Sequence, residues 1–194
     1  MDYRLGEIYA PVVKFTSARI ILAYANYHDW EIMSFDVKTA FLHAKLDYLL
    51  YAKQIPGFPE ADPQTVLCLL VAIYGLHQSA YEFYIFLLKL LLRLGLHRSE
   101  LDHSVFIGRW TSSPHSSIPM PADGKPLFLI VPVHIDDGLA ITNSTPLYNW
   151  FIAQLTPDLE VVDMGPVAMY LGNRITRDRP NRKLWILQKP LLVE

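Results

Sequence analysis

The residues predict an α+β domain, with helices collected on one face of a mainly antiparallel sheet. Three observations carry this. Stretches of helical periodicity (residues 16–30, 75–94 and 146–155) are separated by short apolar runs bounded by turn residues. Two of those runs, on either side of the Asp-Gly of VPVHIDDGLAIT (131–142), carry a hairpin signal. The resulting order of strand, helix, strands, helix, strand is that of helices packed over an antiparallel sheet. A chain of 194 residues suits one domain with a real core.

In chain order, Met1–Phe15 is short and irregular, and Pro11 breaks any helix there. TSARIILAYANYHDW reads as a helix capped by Thr16 or Ser17, with Ile20, Ile21, Tyr24 and Tyr27 recurring at helical spacing and an end near Asp29. Trp30–Phe35 reads as a short buried strand that stops at Asp36. A turn of helix through Lys38–Leu42 and a hairpin-like piece closed by Pro56 and Gly57 follow. The run VLCLLV holds Cys68, the single cysteine, which reads as a buried structural thiol in a reducing, intracellular compartment, cytoplasmic or nuclear. Gly75–Leu94 is the strongest helix. Ser79 caps it, Glu82 suits its first turn, Lys89 and Arg93 its last, and Gly95 stops it. Leucines and aromatics cover nearly every side of that helix, so it is either buried on most faces or short of a partner. His103–Trp110 reads as a strand and the Ser/Pro-rich residues 111–126 as a surface loop. Then come the hairpin Leu127–Thr142, a helix over Pro146–Leu155 with proline in its first turn, a strand near Leu159–Val162, and a ribbon (171–188) whose turn is RPNR. Pro132 lacks a donor, which predicts an edge strand or a bulge there.

Composition narrows the function classes. Hydrophobic residues make up 52% and charged residues 19%, against the usual quarter charged, so part of the apolar surface belongs against something else. A net charge of −2 argues against an independent nucleic-acid binder, which would carry a basic excess. No apolar run reaches the roughly 20 residues of a membrane span, and Asp2 and Arg4 stand where a signal peptide would be apolar, so no membrane partner is expected.

The chemistry lies in three carboxylates. Asp36 ends a strand and Asp136 with Asp137 caps the hairpin, so neighbouring strands would bring all three to one sheet edge. Oxygen ligands without histidine or thiolate suit a hard octahedral ion such as Mg²⁺ rather than zinc. A pair of such ions serves in-line phosphoryl transfer. Two readings stay open for Asp137: consecutive strand residues point to opposite faces, so it either reaches the site through a redirecting turn or only supports the turn's charge.

YAPVVKFTSARIILA, FDVKTAFLH, LCLLVAIYGLHQS, HIDDGLAI and YLGNRITRDR, in this order and spacing from about Tyr9 to the end, resemble the reverse transcriptase of copia-type LTR retrotransposons. The resemblance implies a polymerase palm with part of the fingers over residues 1–194, acting as an RNA-directed DNA polymerase. Asp36, Asp136 and Asp137 would be its catalytic and metal-binding triad, holding two Mg²⁺ or Mn²⁺ ions. Phe41 would be the aromatic gate against a ribonucleotide 2′-hydroxyl, or else ordinary core packing. Tyr74, Gly75, Gln78 and Ser79 would lie along the templating base and incoming dNTP, with Gln78 alternatively a polar helix cap. An RNA or DNA template-primer would be the partner. Arg174 and Arg177, in the basic cluster with Arg179, Arg182 and Lys183, would contact its backbone or else sit on a solvated hairpin.

The chain departs from the family pattern in places. His134 stands where tyrosine is usual, keeping a ring but adding an ionisable imidazole. His77 and Tyr81 replace two cations, weakening a grip on phosphates. The family's basic fingers segment would precede Tyr9, and a thumb-like connection, ribonuclease H and integrase belong to the rest of the polyprotein; the 194 residues hold none of them. Two functions are therefore expected: a two-metal nucleotidyl transferase, or a truncated, inactive remnant or binding module that keeps the palm fold.

Overall fold

The computed structural model describes residues 9–58, 62 and 64–188. From Tyr9 to Lys14 the chain is irregular, as expected; the rest of that opening, and the stretch after Gln188, lie outside the described residues. The elements are α1 (Phe15–Tyr27), β1 (Glu31–Val37), a 3₁₀ turn (Ala40–His43), β2 (Lys45–Ala52), β3 (Leu67–Val71), α2 (Ser79–Arg93), β4 (His97–Arg98), β5 (Val105–Trp110), β6 (Leu127–His134), β7 (Asp137–Thr142), α3 (Thr145–Leu155), β8 (Val161–Pro166), β9 (Met169–Tyr170), β10 (Asn173–Asp178) and β11 (Lys183–Gln188).

A six-stranded sheet in the order β4-β5-β6-β7-β1-β8 organises the molecule, and its pairings are antiparallel. One face packs on α2 and α3 through Phe35, Val37, Ala140, Phe83, Leu87 and Phe151. The other is covered by α1 and the small sheet β11-β10-β9, through Ile32, Leu139, Ile141, Ala18, Leu22 and Ile175. Helices therefore lie on both faces, where one had been expected. Strand alternation accounts for it: Ile32 and Leu139 need cover on the face opposite Phe35 and Ala140.

Long-range contacts, rather than caps, set the start of α1. Its first residue follows Lys14, which makes no side-chain cap, and neither Thr16 nor Ser17 caps the helix. Instead the Lys14 N–H donates to buried Asp102 Oδ2 at 2.9 Å and the Val13 N–H to the Val133 carbonyl at 3.0 Å. The buried stripe of α1 is Ala18, Leu22 and Ala25, while Ile20 (64% exposed) and Tyr27 (70%) from the expected periodic set face outward. At its other end Arg177 donates to Asn26 Oδ1, the Trp30 and Ala25 carbonyls and Asp29 Oδ1, clamping the helix terminus to β10.

Other differences have local causes. β2 pairs with β3 in a separate two-stranded ribbon, so Cys68, opposite Tyr51, alternates outward and is exposed rather than buried. β6 is interior, and its ladder to β7 skips Val131 and Pro132, which accommodates the missing donor without an edge. α2 ends as expected: Gly95 takes φ +85°, and the Leu96 N–H reaches back to the Leu91 carbonyl. α3 is capped by Ser144, whose Oγ accepts from the Leu147 N–H at 3.3 Å. The loop 111–126 is pinned by buried Ile118.

Candidate active site

Along β1, Ile32, Ser34 and Asp36 share one face of the sheet, and Met33, Phe35 and Val37 the other. Asp36 stands directly opposite Asp137 of β7, so both side chains project from the face that holds Ile32 and Leu139. Asp36 lies inside β1, one residue before its end, rather than after it.

The hairpin turn is Ile135–Asp136, since His134 pairs with Asp137. The expected Asp-Gly turn is thus displaced by two residues, and Asp137 and Gly138 belong to β7. Packing excludes a turn at Gly138: a Cβ there would lie 2.2 Å from the Phe35 ring, so this glycine is needed for the close approach of an aromatic side chain. Ile135 takes φ +60°, a strained conformation for a β-branched residue costing on the order of 1–3 kcal/mol. The Asp136 carbonyl accepts from the Val37 N–H at 3.1 Å, tying the turn to the end of β1.

The electrostatics are those of crowded like charges. Burial, and then the charge of Asp136, push the Asp36 carboxyl above the usual carboxylate range, with Lys38 opposing. Asp137 is pushed the same way by crowding from surrounding protein, then by Asp136 and Asp36, with His134 opposing. Asp36 thus feels the charge of Asp136, and Asp137 feels both. Among the described residues, however, no group of three His, Cys, Asp or Glu side chains is gathered to hold a metal ion. Asp36 and Asp137 share a face, and Asp136 stands in the turn beside them. The donor chemistry fits a hard divalent cation, because the donors are all oxygens and their mutual repulsion is relieved by positive charge.

A cavity of about 280 Å³ opens beside Asp36 and Asp137, lined also by Ser34, Met164, Met169, Tyr170, Leu171 and Gly172. Reading the sequence missed these six as site residues, although YLGNR was in view; its signal was the Leu-Gly pair, which takes φ +49° and +74°. Buried Tyr170 donates to the Pro132 carbonyl at 3.3 Å. Its hydroxyl is held well above the ordinary tyrosine value by burial and then by Asp137 and Asp102. A register shift in β1–β8 between Ser34 and Phe35 bulges Met164 out to the cavity mouth, and the bulge is fixed by Asp163, which accepts from the Tyr148 hydroxyl at 2.5 Å and the Gly165 N–H at 2.8 Å.

Phe41 and Tyr74 form a tilted ring pair with centroids 4.7 Å apart, and Phe41 also meets Phe83 edge-on at 6.4 Å. Gly75 takes φ +93° in the turn before α2, and Gln78 precedes the helix without a side-chain cap bond. Ser79, expected to touch substrate, is instead buried, its hydroxyl donating to the Ile73 carbonyl at 2.5 Å. Arg177, expected on a nucleic-acid backbone, is spent on the end of α1, with 14% of its side chain exposed. Arg174 remains exposed on the outer face of β10, opposite Leu187 and Met169.

Residues 1–188 match the family model described as Reverse transcriptase (RNA-dependent DNA polymerase). The chain is 32% identical over 184 residues to the Retrovirus-related Pol polyprotein from transposon TNT 1-94 of Nicotiana tabacum, covering 94% of this chain and 13% of that protein. It is likewise 32% identical over 173 residues to the Pol polyproteins from transposons RE1 and RE2 of Arabidopsis thaliana, covering 89% of this chain and 11% of each. The chain thus spans about an eighth of the length of these relatives. No solved structure matches.

Proposed function

Because the chain belongs to the reverse transcriptase (RNA-dependent DNA polymerase) family, we propose that its Asp36–Asp136–Asp137 edge is the catalytic centre of a polymerase palm that extends a DNA primer on an RNA or DNA template, with β2–β3 as part of the fingers. The observation that supports this most is the pairing of Asp36 with Asp137 on one sheet face, with Asp136 in the adjoining turn.

In this reading the three carboxylates hold two Mg²⁺ or Mn²⁺ ions. Bound there, the ions would supply activation of the primer 3′-hydroxyl and charge neutralisation of the triphosphate. The chain's own residues do the rest. Asp36, held in the sheet between β7 and β8, fixes the position of the cation site, while Asp136 is presented beside it by the turn that the Val37 N–H ties to the end of β1. The Phe41 ring, backed by Tyr74 and Phe83, presents a flat face against the sugar. Tyr170, Leu171 and Gly172 form an apolar wall where the primer end would rest, and exposed Arg174 lies on that same ribbon. Gly75 and Gln78 would border the incoming nucleotide.

A second reading has its own support. His77 and Tyr81 stand where the family pattern carries cations, and the carboxylates are not gathered around a common point. A remnant or binding module that keeps the palm fold without polymerising accounts for both. Thermal melts with and without Mn²⁺ distinguish the two. An ion at about ten times its Kd stabilises by about 1.4 kcal/mol, or roughly 3–6 °C here. Such a rise, lost in Asp136→Asn, supports the catalytic centre; a melt indifferent to millimolar Mn²⁺ supports the remnant.

A further inference from the structure

We propose that the groove between α1 and the free edge of β11 receives an extended acidic peptide, which adds to β11 as a fourth strand of the small sheet. The groove has a volume of about 790 Å³ and lies away from the carboxylates. Among the described residues β11 ends the order β11-β10-β9, so alternate N–H and C=O groups along it point away from β10. The lining includes Arg182, Lys183 and Trp185 together with the intervening residues through Ile186, of both strand parities, which places the groove along the strand's edge. Its far wall is the outward face of α1, with Arg19, Ile20 and Tyr27.

Dimensions and chemistry agree on an extended strand. Six residues of β11 span about 20 Å, and the thirteen of α1 also span about 20 Å. Asn26 closes one end by donating to the Arg182 carbonyl at 2.7 Å, and the lining extends from there to Thr16 and Ile186. Exposed Ile20, Tyr27 and Trp185 offer apolar surface to alternate side chains of the incoming strand. Arg19, Arg182 and Lys183 line the groove, with no carboxylate among the described residues that line it, in a chain whose net charge is −2. Asp29, which lies within the field of Arg182, is held by Arg177 and Arg179. These cations repel a second copy of β11 and select glutamate or aspartate, as in strand-addition recognition generally.

The test uses the whole 194-residue chain and a fluorescein-labelled octapeptide of alternating Glu and Val, followed by fluorescence polarisation. Saturable binding is expected, weakened at least tenfold by Arg19→Glu with Lys183→Glu and at least tenfold by N-methylation of alternate peptide nitrogens. A Lys-Val octapeptide should not bind. The N-methylated peptide keeps the test valid on the unaltered chain if the double variant misfolds. Absence of saturable binding, binding insensitive to N-methylation, or capture of a dT12 oligonucleotide in place of the peptide overturns the proposal; the last outcome would assign the groove to nucleic acid.

Discussion

Gly138 shows how tightly one residue couples the core to the catalytic edge. Its missing Cβ makes room for the Phe35 ring, which packs edge-on against Phe151 with centroids 5.8 Å apart. Gly138→Ala should overpack that contact at about 1–3 kcal/mol. A thermal melt should read this as a loss of roughly 2–12 °C, at about 2–4 °C per kcal/mol for a chain of this size. The carboxylates next to it predict a pH dependence. The folded-state values of Asp36 and Asp137 are raised, so the native state binds protons more readily than the unfolded chain does. Their contribution to stability is greatest at or below the ordinary carboxylate range and is lost as pH rises through the raised values. In EDTA, Asp36→Asn and Asp137→Asn should therefore raise the melting temperature at pH 7.5 and flatten its dependence between pH 4 and 7. A lower melting temperature at pH 7.5 for both variants would contradict the repulsion.

Two arginines on one strand separate structure from surface at the element scale. Arg177 joins β10 to the end of α1 by four hydrogen bonds, two of them to the backbone carbonyls of Trp30 and Ala25, at 2.6 and 3.4 Å. Arg177→Met should cost about 1.5–3 kcal/mol, the range for hydrogen bonds involving a charged group. Arg174→Met, on the exposed face, should stay within about 0.5 kcal/mol in the same denaturant titration. If the two variants are equally stable, the clamp is not what holds α1 to β10. The β2–β3 ribbon makes a separate prediction. A two-stranded ribbon is marginal by itself, and Leu49, Tyr51 and Leu70 lie exposed beside Cys68. Native Cys68 should react with a thiol reagent at close to the rate of the unfolded chain, and protection would reveal a layer covering that face.

For the whole molecule, charge decides what the 194 residues can do alone. The described residues that line the cavity at Asp36 and Asp137 include no lysine or arginine. A triphosphate carries more negative charge than two divalent ions neutralise, and phosphoryl transfer rests mainly on positioning and electrostatics. Each absent charge-assisted contact costs on the order of 1.5–3 kcal/mol, so a few remove several powers of ten in rate. The purified chain should therefore give no detectable extension of a DNA primer on an RNA template. A longer polypeptide that brings cations to the cavity should be active and should lose that activity in Asp136→Ala. Robust extension by residues 1–194, abolished by Asp136→Ala, would show that the resident residues suffice.

What could be read from the sequence was local or motif-borne. The C-terminal end of α2 with Gly95 as the stop, the RPNR turn, the hairpin partners Leu127–Thr142 and the family blocks all rest on residue type and short spacing, and α2, β6, β7, β10 and β11 carry them, whereas α2 begins at Ser79 rather than Gly75 and Ser79 does not cap it. What only the tertiary structure decided depends on contacts far apart in the chain. The start of α1 follows Asp102, the face it buries follows the opposite side of the sheet, and Arg177 turns inward because Asn26 and Trp30 lie beneath it. Placing the turn at Ile135–Asp136 likewise required Phe35, about a hundred residues earlier, to occupy the space beside Gly138. Period and turn chemistry are properties of neighbours along the chain, whereas which face is buried and which charge is neutralised belong to partners that only folding brings together.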